Sequence, residues 1–272
     1  MSVQEKPLLK LNSITKRFGG LVAVKDVNTE VKRGTLKAII GPNGAGKTTT
    51  FNMISGIISA TEGEIIYDDI NISNMPAFKR SKLGIARTFQ HPSIFQDMTL
   101  LENVLAGATS ESQNHFIQSF FGPSIAKLPI NRVIREAQER AIEKLEFVGL
   151  GKKIYESAHK LAYGEQKVLE LARALALYPK PKLLLLDEPT AGLNSEEAKV
   201  YMNILKKLKE TNLTIVMIEH RMELVENVSD DVLVLDFGIV LADDTPAAVW
   251  KNQKVIDAYL GCDNEKHSEE GI

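Results

Sequence analysis

The sequence predicts an α/β fold built on a parallel sheet, and three observations lead there. From Leu183 onward, short apolar runs alternate with helical periods, the order that packs a parallel sheet between helices. A glycine-rich turn, Gly41 to Lys47, joins the apolar run Leu36–Ile40 to a helical segment. Between about His91 and Lys160 the pattern turns mostly helical, which reads as an inserted subdomain within a discontinuous core. The expected divisions are residues 1–90 with 160–262 for the core, 91–159 for the helical subdomain and 263–272 for a flexible tail.

Each element has its own signal. Leu8–Leu11, Leu21–Val24 and Val27–Val31 read as short strands, separated by the turn pairs Gly19-Gly20 and Arg33-Gly34. Leu36–Ile40 ends at Gly41, as a buried strand would. A helix is expected from Lys47 to about Ile57, then a strand at Glu64–Tyr67. Leu100–Ala106 reads as helix. Asn131–Val148 is amphipathic, with Val133, Ile134, Ala137, Ala141, Leu145 and Val148 on one stripe, Asn131 as N-cap and Gly149 as the stop. Gly164–Tyr178 repeats the helical period. Strands at Leu183–Leu186, Thr214–Ile218 and Val232–Leu235 then alternate with helices at Ser195–Leu208 and Met222–Val228. Thr245-Pro246, a cap followed by proline at the first helical position, opens a last helix to about Leu260. Trp250 is expected to pack in that helix, and the polar end from Cys262 to fray.

Composition bounds the function. Lys and Arg number 33 against 35 Asp and Glu in 272 residues, a formal charge of −2. That balance argues against a nucleic-acid binder working by bulk charge. One cysteine, Cys262, excludes an internal disulfide and a multi-cysteine metal site. His91, His115, His159 and His267 show no ligand spacing. No signal peptide or membrane-length apolar run is visible, so the chain is not expected to cross a membrane by itself.

Gly41-Pro42-Asn43-Gly44-Ala45-Gly46-Lys47-Thr48 fits G-x-x-x-x-G-K-[ST] after a strand and before a helix. Glycines let successive N–H groups face inward, and the helix N-terminus adds partial positive charge. Lys47 is suited to reach β- and γ-phosphates, and the Thr48 hydroxyl to reach Mg²⁺. Leu183–Leu186 delivers Asp187 and Glu188 to a sheet edge, where two carboxylates are costly without a cation. Asp187 suits the metal shell and Glu188 an attacking water. A plain Asp-Glu-Pro turn is the alternative.

Beyond these two motifs the sequence resembles the ATPase subunits of ABC transporters. Gln90, in Thr88-Phe89-Gln90, matches that family's Q-loop. Leu161-Ala162-Tyr163-Gly164-Glu165-Gln166 stands where the signature motif belongs, Ala191-Gly192-Leu193-Asn194 matches the D-loop, and His220 the switch histidine. Phe18, in Lys16-Arg17-Phe18-Gly19, lies where the family stacks an aromatic ring on adenine. The signature departs from the common Leu-Ser-Gly-Gly-Gln, because Ala162 replaces the serine and Tyr163 follows. That leaves backbone N–H groups, Gly164 and the helix N-terminus for the γ-phosphate. The Leu-Ala-Tyr-Gly variant, Arg87-Thr88-Phe89-Gln90, Gly19–Val24 and Val255–Gly261 are similar to the branched-chain amino acid uptake branch, and urea-uptake and lipopolysaccharide-export relatives share parts of the pattern.

The resemblance implies a P-loop NTPase (ABC ATPase) core with an antiparallel β subdomain and the inserted helical subdomain. It implies ATP and Mg²⁺ as cofactors. Phe18, Gly41, Pro42, Asn43, Gly44, Ala45, Gly46, Lys47, Thr48 and Thr49 would hold the nucleotide, with Ala162, Tyr163, Gly164 and Glu165 closing a partner's site. Thr48, Gln90 and Asp187 would serve the metal, and Glu188, His220, Gln90 and Lys47 the catalysis. Phe18 as a core aromatic and His220 as a strand-end histidine are the plainer readings, and Tyr163 reads equally as packing beneath its helix. Phe116–Phe121 is either a satellite core or part of a docking surface, with Gln90–Met98 the better docking candidate. The implied partners are a second ABC ATPase subunit, in a homo- or heterodimer, integral membrane permease subunits and, indirectly, a substrate-binding protein, with no nucleic acid. The implied location is peripheral, on the cytoplasmic face of the inner membrane. A soluble ABC ATPase of translation or DNA repair is the competing class; one cassette and no sustained heptads count against it. A regulator that binds nucleotide without hydrolysis is disfavoured by Glu188 and His220.

Overall fold

The structure, a computed structural model, describes residues 6–108 and 130–266, with backbone alone at 130–134 and 260–266. Phe116–Phe121, His115 and His267 lie outside the described residues, as do the side chains of Val133, Ile134 and Cys262.

Two sheets organise the chain. β1 (Leu9–Phe18), β2 (Leu21–Val31), β4 (Glu62–Tyr67) and β5 (Ile70–Asn71) form an antiparallel sheet in the order β2-β1-β4-β5. β3 (Leu36–Ile40), β6 (Ile85–Arg87), β7 (Leu183–Asp187), β8 (Thr214–Ile218), β9 (Asp231–Asp236) and β10 (Ile239–Asp244) form the second, in the order β10-β9-β3-β8-β7-β6. Its strands run parallel except β10, which returns antiparallel to β9.

Both faces of the parallel sheet are covered, so β3, β7 and β8 are buried along their whole length. Their side chains alternate between two cores. Leu184, Leu186, Ile215 and Met217 face the core shared with α3 (Leu100–Ala108), α4 (Ile130–Phe147), α5 (Tyr163–Leu175) and α6 (Ser195–Lys209). Leu183, Leu185, Val216 and Ile218 face the core shared with the antiparallel sheet and α1 (Lys47–Ser55). Ala137, Ala141, Leu145 and Val148 of the predicted α4 stripe are buried.

The departures have local causes. The expected break within residues 21–31 is one continuous strand, and β1 runs seven residues beyond Leu11 to Phe18. Both carry irregularities at Ser13 (φ 48°) and Asp26 (φ 49°), where Ser13 N–H donates to Asn28 Oδ1 and Asp26 N–H to Thr15 Oγ1. Side chains thus satisfy the ladder groups that a bulge releases. The helix expected over Gly164–Tyr178 ends at Leu175, ahead of Pro179. The single last helix is two, α8 (Pro246–Val249) and α9 (Gln253–Lys266), with α7 (Met222–Val228) as expected. Asn252 Oδ1 accepts from Lys254 N–H and starts α9 afresh. Trp250 follows α8 and packs, partly buried, on the helical core. β5, β6, β10 and α2 (Ala77–Ser81) had no expectation, and β5, β6 and α2 are too short to show a period.

Arg80 of α2 is fully buried and closes the end of α1, donating to the carbonyls of Met53 and Ile54 at 2.7 Å each. Burial pulls its guanidinium down to about 10. Among the described residues, no helix is long and apolar enough to cross a membrane.

Candidate functional site

The sheet order explains the site. The glycine-rich loop follows β3, His220 follows β8, Glu188 follows β7 and Gln90 follows β6. Spatial order β3-β8-β7-β6 therefore lays the loop, His220, Glu188 and Gln90 side by side along the carboxyl ends of parallel strands, where α/β sheets place ligands.

Glu188 stands between its neighbours. Gln90 Nε2 donates to Glu188 Oε2 at 2.9 Å, and His220 Nε2 lies 3.1 Å from Glu188 Oε1. The Glu188 backbone has φ 46° and its N–H donates to the Ile218 carbonyl at 3.0 Å. A left-handed, non-glycine residue held by a neighbouring strand is local strain at a candidate site. His220 is oriented in turn by buried Glu219, whose Oε1 accepts from the N–H groups of His220 and Arg221 and whose Oε2 accepts from Thr190 Oγ1.

Residues Asn43 to Thr49 line a cavity of about 330 Å³ together with Glu188, His220, Leu21–Ala23 and Phe237. Gly41 has φ 147°, and a Cβ there would lie 2.0 Å from the Leu235 carbonyl oxygen; at Gly46 (φ 94°) it would lie 2.7 Å from the Ala23 carbonyl oxygen. Only glycine lets the loop pass this close to β9 and β2. Lys47 is buried and folds back, donating to the Gly41 and Pro42 carbonyls at 2.8 Å each. Burial holds its ammonium below the usual lysine range, with the Glu188 carboxylate opposing. A buried ammonium satisfied only by carbonyls, at a helix start, suits phosphate oxygens.

Asp187 is buried at the end of β7, and Arg87 Nη2 donates to its Oδ2 at 2.9 Å. Burial raises the Asp187 carboxyl above the usual range, and Arg87 opposes that. Arg87 Nη1 also donates to Asn52 Oδ1 and Ser55 Oγ of α1. The guanidinium thus ties the acidic strand end to the helix behind the glycine-rich loop. Thr48 and Asp187 are oxygen donors, a set that suits a divalent cation held mainly by phosphate and water. Among the described residues, no group of three or more His, Cys, Asp or Glu could hold a metal by itself.

Phe18 and the signature residues stand elsewhere. Phe18 is half exposed at the β1–β2 turn, with Lys16 Nζ 5.1 Å from its ring, and does not line the cavity. Phe237, 87% exposed at φ 43° in the β9–β10 turn, does line it. Ala162, Tyr163, Gly164 and Glu165 also lie outside that cavity. Ala162 is the N-cap of α5 with no side-chain bond of its own, while Glu165 accepts from Ala162 N–H and from Lys153 Nζ. Tyr163 packs on the D-loop, where a Cβ at Gly192 would lie 2.9 Å from its ring.

Sequence reasoning missed Arg87, Lys167, Glu219 and Phe237. Lys167 had a signal: it is a charge on the otherwise apolar stripe of Gly164–Tyr178. A second groove, of about 370 Å³, opens beside the Q-loop, lined among others by Ile57, Phe78, Phe89 and Leu177.

Comparison with known proteins shows the family. Residues 24–191 match the ABC transporter family. The high-affinity branched-chain amino acid transport ATP-binding protein BraF of Pseudomonas aeruginosa is 42% identical over 258 residues, 94% of this chain and 98% of that protein. The ADP conformation of MJ1267, an ATP-binding cassette of an ABC transporter, superposes with a TM-score of 0.80 at 33% identity, covering 94% of this chain and 99% of that one. A dimeric, post-hydrolysis state of the cassette MJ0796, bound to ADP and Pi, superposes at 0.68 with 28% identity over 88% and 98%.

Proposed function

The chain belongs to the ABC transporter family of ATPases, and from that premise we propose that it is the ATP-hydrolysing subunit of an importer of branched-chain amino acids. The observation that carries the hydrolytic part is Glu188, whose two carboxylate oxygens are engaged by Gln90 and His220 beside the cavity lined by residues 43–49. The similarity to BraF, together with Ala162-Tyr163 in the signature, supports the substrate class.

In this reading the N–H groups of residues 41–49 receive the phosphates, and Lys47 exchanges its carbonyl partners for β- and γ-phosphate oxygens. Bound Mg²⁺ would be held by Thr48, Gln90 and Asp187, and would neutralise charge on the phosphates. With Gln90 and His220 both bonded to Glu188, its carboxylate is occupied. A γ-phosphate that draws His220 to itself frees one oxygen to accept a proton from the attacking water. His220 then stabilises the phosphate, and Phe18 provides a ring for adenine.

In this reading Ala162 to Glu165, which lie outside the chain's own phosphate cavity, serve a second subunit's nucleotide in a two-subunit ATPase. The dimeric state of MJ0796 supports that arrangement for the family. The pairing is with a second ABC ATPase subunit, in a homo- or heterodimer. ATP closes the pair and hydrolysis opens it, and the difference in affinity between the two forms supplies the work. The groove beside the Q-loop receives permease subunits on the cytoplasmic face of the inner membrane, and a substrate-binding protein delivers cargo from the other side.

Uptake of labelled leucine, isoleucine, valine and urea by a deletion strain tests this. Loss of uptake of the three amino acids, restored by the intact gene and not by the Glu188→Gln form, is expected. Loss of urea uptake alone would overturn the substrate class.

A further inference from the structure

Three charged side chains on one side of α5 hold the main chain of the segment that carries Gln90. Lys167 Nζ donates to the Gln90 carbonyl at 3.1 Å and to the Glu188 carbonyl at 3.0 Å. Glu170 Oε1 accepts from Phe89 N–H at 3.0 Å, and Arg173 Nη1 donates to the Ser93 carbonyl at 2.5 Å. The three recur at intervals of three, so they stand on one side of the helix and meet residues 89, 90 and 93 of the neighbouring chain. Lys167 and Glu170 are both buried, a costly place for charge. Their partners here are main-chain groups rather than other loop side chains. The helix thus fixes where the loop backbone runs, independently of its side chains.

Lys167 differs from the other two. One ammonium joins the carbonyls of the two residues whose side chains meet, since Gln90 Nε2 also donates to Glu188 Oε2 at 2.9 Å. Backbone and side-chain links run in parallel and close a ring through residues 90, 167 and 188. The carboxylates of Glu170, Glu219, Glu188 and Asp187 surround the ammonium electrostatically and oppose the effect of burial, which lowers its proton affinity. The third side of the ammonium faces the Tyr163 ring, whose centroid is 5.8 Å away.

We propose that Lys167 is a positioning residue for the hydrolytic step, fixing the Gln90–Glu188 contact to the orientation of α5. This rests on the reading of Glu188 as the residue that acts on water. Because α5 begins at Ala162–Glu165, the same helix that closes a partner's site sets the geometry of its own. Lys167 acts through Gln90 and Glu188 and touches no reacting atom.

The test is steady-state ATP turnover with Mg²⁺ by the full-length chain purified together with its partner ATPase and permease subunits. Lys167→Met, Lys167→Arg, Gln90→Ala and the double variant Gln90→Ala/Lys167→Met are compared, with the thermal midpoint of each. Lys167→Met is expected to lower kcat about tenfold while KM moves less than about threefold. In the Gln90→Ala background the same change is expected to cost less than about twofold, because the contact it positions is already gone. Lys167→Arg, which keeps the charge, is expected to recover part of kcat and to show the same non-additivity should the methionine variant fail to fold. Equal kcat losses in both backgrounds, or a loss that follows the thermal midpoint and KM, would overturn the inference. Turnover abolished in Glu188→Gln but unchanged in Lys167→Met overturns the Lys167 role alone. An unmodified complex without turnover overturns both it and the reading beneath it.

Discussion

Arg87 and Asp187 form a buried pair, 2.9 Å apart, that joins the ends of two neighbouring strands behind the phosphate cavity. The pair is useful to a metal site because it keeps a desolvated carboxylate ionised. It leaves one Asp187 oxygen unengaged by Arg87.

Removing that guanidinium should therefore show as a pH effect. Asp187 is already raised by burial, and Arg87 is what opposes the rise. A carboxyl whose folded pKa exceeds its unfolded value contributes most stability below the unfolded pKa and loses it as pH rises through the folded one. Arg87→Met raises the folded value further. It should cost about 3 to 5 kcal/mol at neutral pH, as for a broken buried pair. The deficit should shrink as pH falls toward about 4, near the ordinary aspartate range. Urea unfolding across that range measures it. A deficit independent of pH would contradict this account of the pair.

Lys47 gives a second pH dependence, with the opposite group type. Burial lowers its ammonium below the usual range. Phosphate binding favours the charged form. ATP affinity should therefore fall as pH rises through that lowered value, and should fall at a lower pH than the ordinary lysine range near about 10.4 predicts. Titration with a fluorescent ATP analogue from about neutral pH to about pH 10 reads the shift. Lys47→Ala should bind weakly at every pH; an unaffected variant would remove the role given to the loop.

Ala162 offers a third prediction. It caps α5 without a side-chain acceptor. Ala162→Ser supplies one and should stabilise the fold by about 0.5 to 1 kcal/mol, the usual worth of a serine cap over alanine. Thermal unfolding measures this. No gain would mean that another group already serves those helix N–H groups.

The layout of the site was legible where a strand end and its chemistry are contiguous in sequence. Gly41–Thr48 after Leu36–Ile40 and Asp187-Glu188 after Leu183 needed only local reading, because one apolar run delivers each group. Strand order was not legible. Nothing local says that β8 lies between β3 and β7, and that order is what puts His220 and Gln90 on either side of Glu188. Partners supplied from a distance were equally hidden. Arg87 precedes Gln90 by three residues but faces Asp187, 100 residues on. Lys167 stands out as a charge on an apolar stripe, but its carbonyl partners come from two strand ends far away in sequence. The split in the last helix turned on Asn252, whose side chain caps only once the chain bends there.

In the proposed function Glu188 acts on the attacking water in a closed two-subunit ATPase. ATP turnover by Glu188→Gln, read beside ATP binding and oligomeric state, tests it most directly. The account predicts turnover reduced by roughly 100-fold or more, the scale of a lost general base. ATP binding should be retained, with a dimer that persists in ATP and Mg²⁺. Turnover near that of the unmodified chain would contradict it.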